Sequence, residues 1–202
     1  MLVSLPASAF DKLVLDVPLF TPFAYIDKEG VLTGKGVVAV KHILDKLGVE
    51  YQLRPVANHG VGLNNLSQLQ NDGFFLATQS DERDEVGQLS QGVMINDWAW
   101  FYLVDSSLTP EHNSFKQTAK IASQFNTNTF HWLKSENYVI ASLPNEASTL
   151  VRLLFKKRID AVFLSADVFW HAMRAGGYDV ALVRQKTQIS QPFGCYFSHQ
   201  YL

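Results

Sequence analysis

The sequence predicts an α/β protein made of two units, on three observations. Short apolar runs alternate with stretches in which apolar residues recur at helical spacing, the pattern of a parallel sheet covered by helices. This alternation occurs twice along the 202 residues. Between the two occurrences lies a long run dense in aromatic and β-branched residues, long enough to belong to both.

Residues 12–16 form an apolar run ending in Asp16, and Pro18 and Pro22 turn this first strand into a loop. Asp27-Lys-Glu-Gly30 is a turn between two short extended pieces. From Gly36 onward Val37, Val40, Ile43, Leu44 and Leu47 recur at helical spacing, and Gly48 stands where a left-handed glycine ends a helix. Residues 49–56 read as the next strand, 63–70 as a second helix on Leu63, Leu66 and Leu69, and 74–78 as a strand after Asn71-Asp72-Gly73. The long strand covers 93–104, and 108–114, with Pro110 and Asn113, is a loop. The second unit then repeats the pattern: strand 120–124, helix 130–133, strand 138–141, helix 147–157, strand 159–164, helix 167–174. A fixed period and low-complexity stretches are both missing from the sequence, which excludes solenoids and linkers.

With 47% hydrophobic and 18% charged residues the chain can bury a core, and disorder as its main state is excluded. A formal charge of -2 with no basic face excludes nucleic acid as a partner. Lys156-Lys157-Arg158 reads as the cationic end of a helix, where it complements the dipole. No run approaches the ~18 consecutive apolar residues of a membrane helix. The first ten residues lack a charged opening and have too short an apolar run for an intact signal peptide; Ala7-Ser8-Ala9 is either the tail of one or an appended sequence. A single cysteine, Cys195, forbids an intramolecular disulfide and reads as a small packed residue. The six histidines are scattered without His-x-His or His-Glu-x-x-His spacing, so neither a metal site nor a cofactor is expected. Asp167 and His171, four apart on a predicted helix, read as a local side-chain pair.

Several motifs then fall in a familiar order. Asp16-Val-Pro-Leu-Phe20-Thr-Pro-Phe23 is followed by Asp27-Lys-Glu-Gly30-Val-Leu-Thr-Gly34, a "D-x-x-G-x-L-x-G" pattern, and by a helix ending in Leu47-Gly48-Val49. Leu69-Gln-Asn-Asp-Gly73 and Thr78-Gln-Ser80-Asp-Glu82-Arg83 stand where "A-L-x-x-G" and "S-I-T-P-E-R" are expected, and Phe155-Lys-Lys-Arg-Ile-Asp160-Ala161-Val162 matches "L-x-x-G-R-V-D-A-V". Most of the chain thereby resembles the family 3 extracellular, or periplasmic, solute-binding proteins, which serve amino-acid importers of the ABC type and also form sensor domains of membrane receptors. The resemblance implies a two-lobed periplasmic-binding-protein-like (type II) fold, a monomer with a small-molecule ligand held between lobes that hinge shut. Residues 1–93 with 194–202 would form one lobe and 94–193 the other, with crossovers near 93–98 and 191–194.

The resemblance also implies site residues. Arg83 occupies the position that holds a ligand carboxylate, a task suited to a guanidinium fork; the alternative is a local pair with Asp81, Asp84 or Glu85. Thr78 and Ser80 belong to the same motif, and Ser80 brings a hydroxyl and nearby backbone amides. Asp16 either accepts from a ligand ammonium or orders its own loop. Phe20, Phe23 and Trp98 are either apolar pocket walls or lobe core. In the second lobe Thr127 and Asn128 follow a strand where the family has "G-T-T", with Asn126 replacing the glycine. Ser165 stands where amino-acid binders carry the aspartate that accepts the α-ammonium, and 58–62, read as a loop, replaces a region that often bears an aromatic lid. Both departures place the ligand's identity, and not the fold, in question.

Import and sensing remain alternatives, the partner being a membrane permease or a transmembrane signalling domain of the protein itself, with a periplasmic location. The chain stops at 202, soon after the second crossover, where transport members continue into further helices; this favours sensing, and truncation would read the same way. A cyclohexadienyl-dehydratase-like lyase on the same scaffold is a further alternative. It would need a cleft acid or base, and the second-lobe motif offers only Asp167.

Overall fold

The computed structural model describes residues 12–125 and 127–202; Ala7-Ser8-Ala9 and Asn126 lie outside the described residues. In chain order the elements are β1 (Leu13–Pro18), β2 (Tyr25–Ile26), β3 (Leu32–Thr33), α1 (Lys35–Leu47), β4 (Tyr51–Val56), α2 (His59–Ser67), β5 (Gly73–Ala77), α3 (Asp81–Asp84) and β6 (Gly87–Leu89). Then come β7 (Met94–Leu103), α4 (Phe115–Thr118), β8 (Ile121–Ala122), α5 (Asn128–Ser135), β9 (Ile140–Ser142), α6 (Ala147–Phe155), β10 (Ala161–Ser165), α7 (Ala166–Ala175) and β11 (Val183–Ser198). Two compact units result: one runs to Met94 and takes in Phe193–Leu202, and the other is Ile95–Pro192.

In the first unit β4, β1 and β5 run parallel, the end of β11 lies antiparallel to β5, and β6 pairs with β11. α1 buries Gly36, Val37, Val40 and Leu44, a three-and-four spacing that sets one face on the sheet. Ile43 and Leu47, expected on that face, are 39% and 69% exposed because the helical period carries them to its flank. Gly48 closes the helix at φ 67°, its N–H donating to Asp45 while Val49 donates to Leu44, so the last carbonyls are satisfied. Gly34, at φ 122°, precedes α1 with the Phe23 carbonyl against it, leaving no room for a Cβ.

α2 begins four residues before the expected 63. Asn58 caps it by accepting from the Val61 N–H at 3.1 Å. Gly62 serves contact, not a loop: a Cβ there would stand 3.2 Å from the Phe74 side chain. The helix also stops at Ser67, short of the expected 70.

In the second unit β9, β8 and β10 run parallel, β7 lies antiparallel to β10, and β11 follows β7. Trp98 and Trp100 join Phe115, Ile121, Leu133 and Phe163 in one buried cluster, with Trp132 and Tyr138 packed against it. On the opposite face of β7, Phe101 stacks on Phe169 with ring centres 3.8 Å apart. Each such ring buries on the order of 150–250 Å², or about 4–6 kcal/mol of transfer free energy. The Trp100 indole N–H, which would otherwise be stranded, donates to Gln188 on β11 at 3.1 Å. No helix among the described residues is long and apolar enough to cross a membrane.

Candidate functional site

In an open α/β sheet, ligands meet the chain just past the carboxyl ends of the parallel strands. In the first unit that edge is where β1, β4 and β5 finish, and it brings together Phe20 and Phe23, His59, and the segment from Thr78 to Arg83. Phe20 stacks on Phe23 at 5.4 Å and 12°, and meets the edge of His59 at 5.9 Å. Phe23 is 1% exposed, sealed by Phe193 edge-on and by Lys35 above its ring, so it is core and offers no wall. Phe20 keeps a half-buried face.

Arg83 is half-buried, and its Nη1 donates to the buried Thr78 carbonyl at 2.6 Å. Burial lowers the guanidinium pKa, against the raising pull of Tyr196, Glu82 and Asp84. Among the described residues no carboxylate comes within ion-pair distance of it, so the local pair with Asp81, Asp84 or Glu85 does not form. Asp84 is occupied elsewhere: Gln79 Nε2 donates to it at 2.9 Å and the Tyr196 hydroxyl at 2.7 Å. Those two bonds hold its carboxyl below the usual range. The Tyr196 hydroxyl also accepts from the Ser80 N–H at 3.3 Å, tying the start of the α3 turn to β11. One of five guanidinium donors is thus spent on fixing the side chain, and the fork is held in place by its own backbone.

Asp16 is fully buried, and both of its oxygens are engaged. Arg54, opposite it in the β1–β4 register, reaches Oδ1 through Nε at 2.9 Å and Nη2 at 2.8 Å. The Asn65 and Asn71 amides each donate to Oδ2 at 2.7 Å. Four donors fill the acceptor capacity of a carboxylate. Asp16 therefore ties β1, β4 and α2 together, its acceptor capacity spent on Arg54, Asn65 and Asn71.

The second unit gathers its residues at the same kind of edge. Ser165 ends β10, is 4% exposed, and donates from Oγ to Asn96 Oδ1 at 2.7 Å. Thr127 caps α5: its hydroxyl accepts from the Phe130 N–H at 3.3 Å and donates to the Gln124 carbonyl at 2.8 Å, with Thr129 Oγ1 2.9 Å away. That hydroxyl orders the loop ahead of α5. Asn128 is the first residue of α5. Trp98, expected as a wall or as core, is core at 6% exposure.

Sequence reasoning missed His59, Asn96 and Tyr196. His59 stood in a segment read as a loop; the asparagine before it, a common cap, was the available signal for a helix start. Asn96 and Tyr196 bond to partners far along the chain, and no local pattern announces them.

No family model matches the sequence, and no curated protein matches it closely enough to count as a relative. Solved structures do match. A histidine kinase sensor domain with similarity to periplasmic binding proteins superposes at TM-score 0.74 and 16% identity, over 94% of this chain and 83% of that one. The GluR0 ligand-binding core in complex with L-glutamate gives 0.72 and 15%, over 93% and 85%. A histidine-bound substrate-binding protein of an ABC uptake transporter from Streptococcus pneumoniae gives 0.70 and 15%, over 94% and 80%. The likeness at these identities is one of fold, and the chain has the α/β fold of the periplasmic-binding-protein-like structures.

Proposed function

We propose that the chain is an extracytoplasmic solute-binding domain, located in the periplasm, that holds a small carboxylate-bearing molecule without transforming it. The observation that carries this reading is Arg83: a half-buried guanidinium at the carboxyl edge of the sheet, anchored by the Thr78 carbonyl and facing no carboxylate among the described residues. A desolvated guanidinium left without an anion costs several kcal/mol, and a ligand carboxylate matches its fork. Binding without turnover is supported by the solved structures the fold matches, a kinase sensor domain and a substrate-binding protein of an uptake transporter.

The ligand class follows from the acceptors. Asp16 is saturated by Arg54, Asn65 and Asn71, and Ser165, in the place of the ammonium-binding aspartate, is a neutral hydroxyl already donating to Asn96. A neutral acceptor does not compensate a buried cation. A carboxylate without a free α-ammonium, such as a hydroxy acid, oxo acid or N-acyl amino acid, is the better fit.

Calorimetric titration tests the reading. The wild-type chain takes up members of such a panel and releases them unchanged, Arg83→Ala abolishes uptake, and Arg83→Lys does not restore it, because a point charge cannot reproduce the fork. Tight binding of a plain α-amino acid that survives Arg83→Ala and is lost on N-acylation would overturn it. Delivery to an ABC importer is the first reading of the physiological role. Sensing for a receptor kinase is the second, favoured by the TM-score of 0.74 to a kinase sensor domain.

A further inference from the structure

His59 sits at the carboxyl edge that carries Arg83, and its two ring nitrogens are in different situations. Nε2 lies 2.6 Å from the Leu76 carbonyl oxygen. A carbonyl can only accept, so Nε2 is the nitrogen that carries the proton. Nδ1 of the neutral ring is then a lone-pair acceptor, and it has no hydrogen bond among the described residues. It is not sealed in either: the buried side-chain atoms left without a partner are Asn71 Oδ1 and Gln124 Oε1, and His59 itself is only half-buried. The ring cannot turn freely to present its other nitrogen, because the Leu76 bond holds one end while Phe20 meets it edge to face at 5.9 Å.

We propose that His59 Nδ1 is a specificity-determining acceptor that takes a hydrogen bond from an uncharged O–H or N–H of the carboxylate-bearing solute. This rests on the reading of Arg83 as the carboxylate anchor. Burial, opposed by the Leu76 bond and assisted by the nearby Arg83 charge, brings the imidazole pKa down to about 4, so near neutral pH the ring has the lone pair the role needs. A ligand that reaches Arg83 but carries only an acceptor beside its carboxylate leaves Nδ1 desolvated and unpaired. A 2-hydroxy acid satisfies it and the matching 2-oxo acid does not. Among anions of equal charge and nearly equal size, the site discriminates by a single proton.

The test is a titration of the full chain with matched pairs, lactate against pyruvate and 2-hydroxyisovalerate against 2-oxoisovalerate. Wild type prefers the hydroxy member by about tenfold, a ratio expected of one good hydrogen bond. His59→Phe, which keeps the ring edge for Phe20, reduces the preference to within about twofold, and His59→Gln, whose amide can still serve Leu76, retains part of it. Arg83→Lys weakens both members of a pair equally. An unchanged preference in His59→Phe overturns the role of His59 and leaves the anchor standing; no binding of any member by wild type overturns both. Nitrogen-15 spectra of the ligand-free wild type give a separate reading that no misfolded variant can spoil: a His59 ring protonated on Nδ1 in place of Nε2 overturns the proposal outright.

Discussion

Replacing Asp16 separates a structural carboxylate from a ligand-binding one. In Asp16→Ala three donor groups lose their acceptor. Arg54 retains 36% side-chain exposure and recovers water. Asn71, 5% exposed, cannot, and Asn65 can do so only in part. At about 1–3 kcal/mol for each stranded amide, with a remainder for the guanidinium, the loss is about 3–5 kcal/mol, a large share of the ~5–15 kcal/mol that holds an ordinary domain. Asp16→Asn keeps one acceptor oxygen and turns the other into a donor facing donors, so it costs about 2–3 kcal/mol. The assay is urea unfolding followed by far-ultraviolet circular dichroism. Tryptophan fluorescence is the wrong probe, because Trp98, Trp100, Trp132 and Trp170 all belong to the second unit. Once corrected for the folded fraction, ligand affinity of Asp16→Asn stays within about twofold of wild type. A stability change under about 1 kcal/mol together with lost affinity would refute the reasoning, for it would mean that Asp16 faces ligand and not its own lobe.

Two further outcomes follow from local geometry. The folded-state pKa of His59, about 4, lies below the ordinary ~6.5, so the unfolded chain takes up the proton first; the neutral ring's contribution, about 3 kcal/mol, is complete above pH ~6.5 and disappears as pH falls toward about 4. Chemical denaturation across that window is shallower in slope for His59→Gln, and parallel slopes would contradict the assignment. Gly34→Ala forces a Cβ against the Phe23 backbone at a positive φ, and a loss of more than about 2 kcal/mol is expected; a thermal midpoint equal to wild type would count against the close approach.

The sequence carried local information well and long-range information poorly. α1 was legible because its apolar spacing and Gly48 act within a few residues of each other, and β7 because ten residues of aromatic and β-branched character have little else to become. β11 was not: Arg184-Gln-Lys-Thr-Gln188 is polar on both faces, and its strand conformation comes from β7, whose Trp100 it serves through Gln188. The same distance hid the role of Asp16. The motif order singled it out as either a ligand acceptor or a loop-ordering acid, but its partners Asn65 and Asn71 lie 49 and 55 residues away, and only the fold shows that it looks inward. Arg83 stood out by its place in a motif; the carbonyl that fixes it, and Tyr196 bracing the turn before it, did not.

β11 has a consequence for the order in which the protein is made. The first unit's sheet needs Gly194, Cys195, Tyr196 and Phe197 beside β5, and these leave the ribosome only after the whole of Ile95–Pro192 has been synthesised. At ~5–20 residues per second, those roughly 100 residues take on the order of 5–20 s. For that time one edge of β5, whose sequence Gly-Phe-Phe-Leu-Ala is buried at every position in the finished protein, has no strand to pair with. The second unit has its central strands in hand sooner, so the part of the molecule that begins first is completed last. During that interval a holding chaperone has an apolar, strand-forming target in residues 73–77, and the arrival of the final strand ends its access.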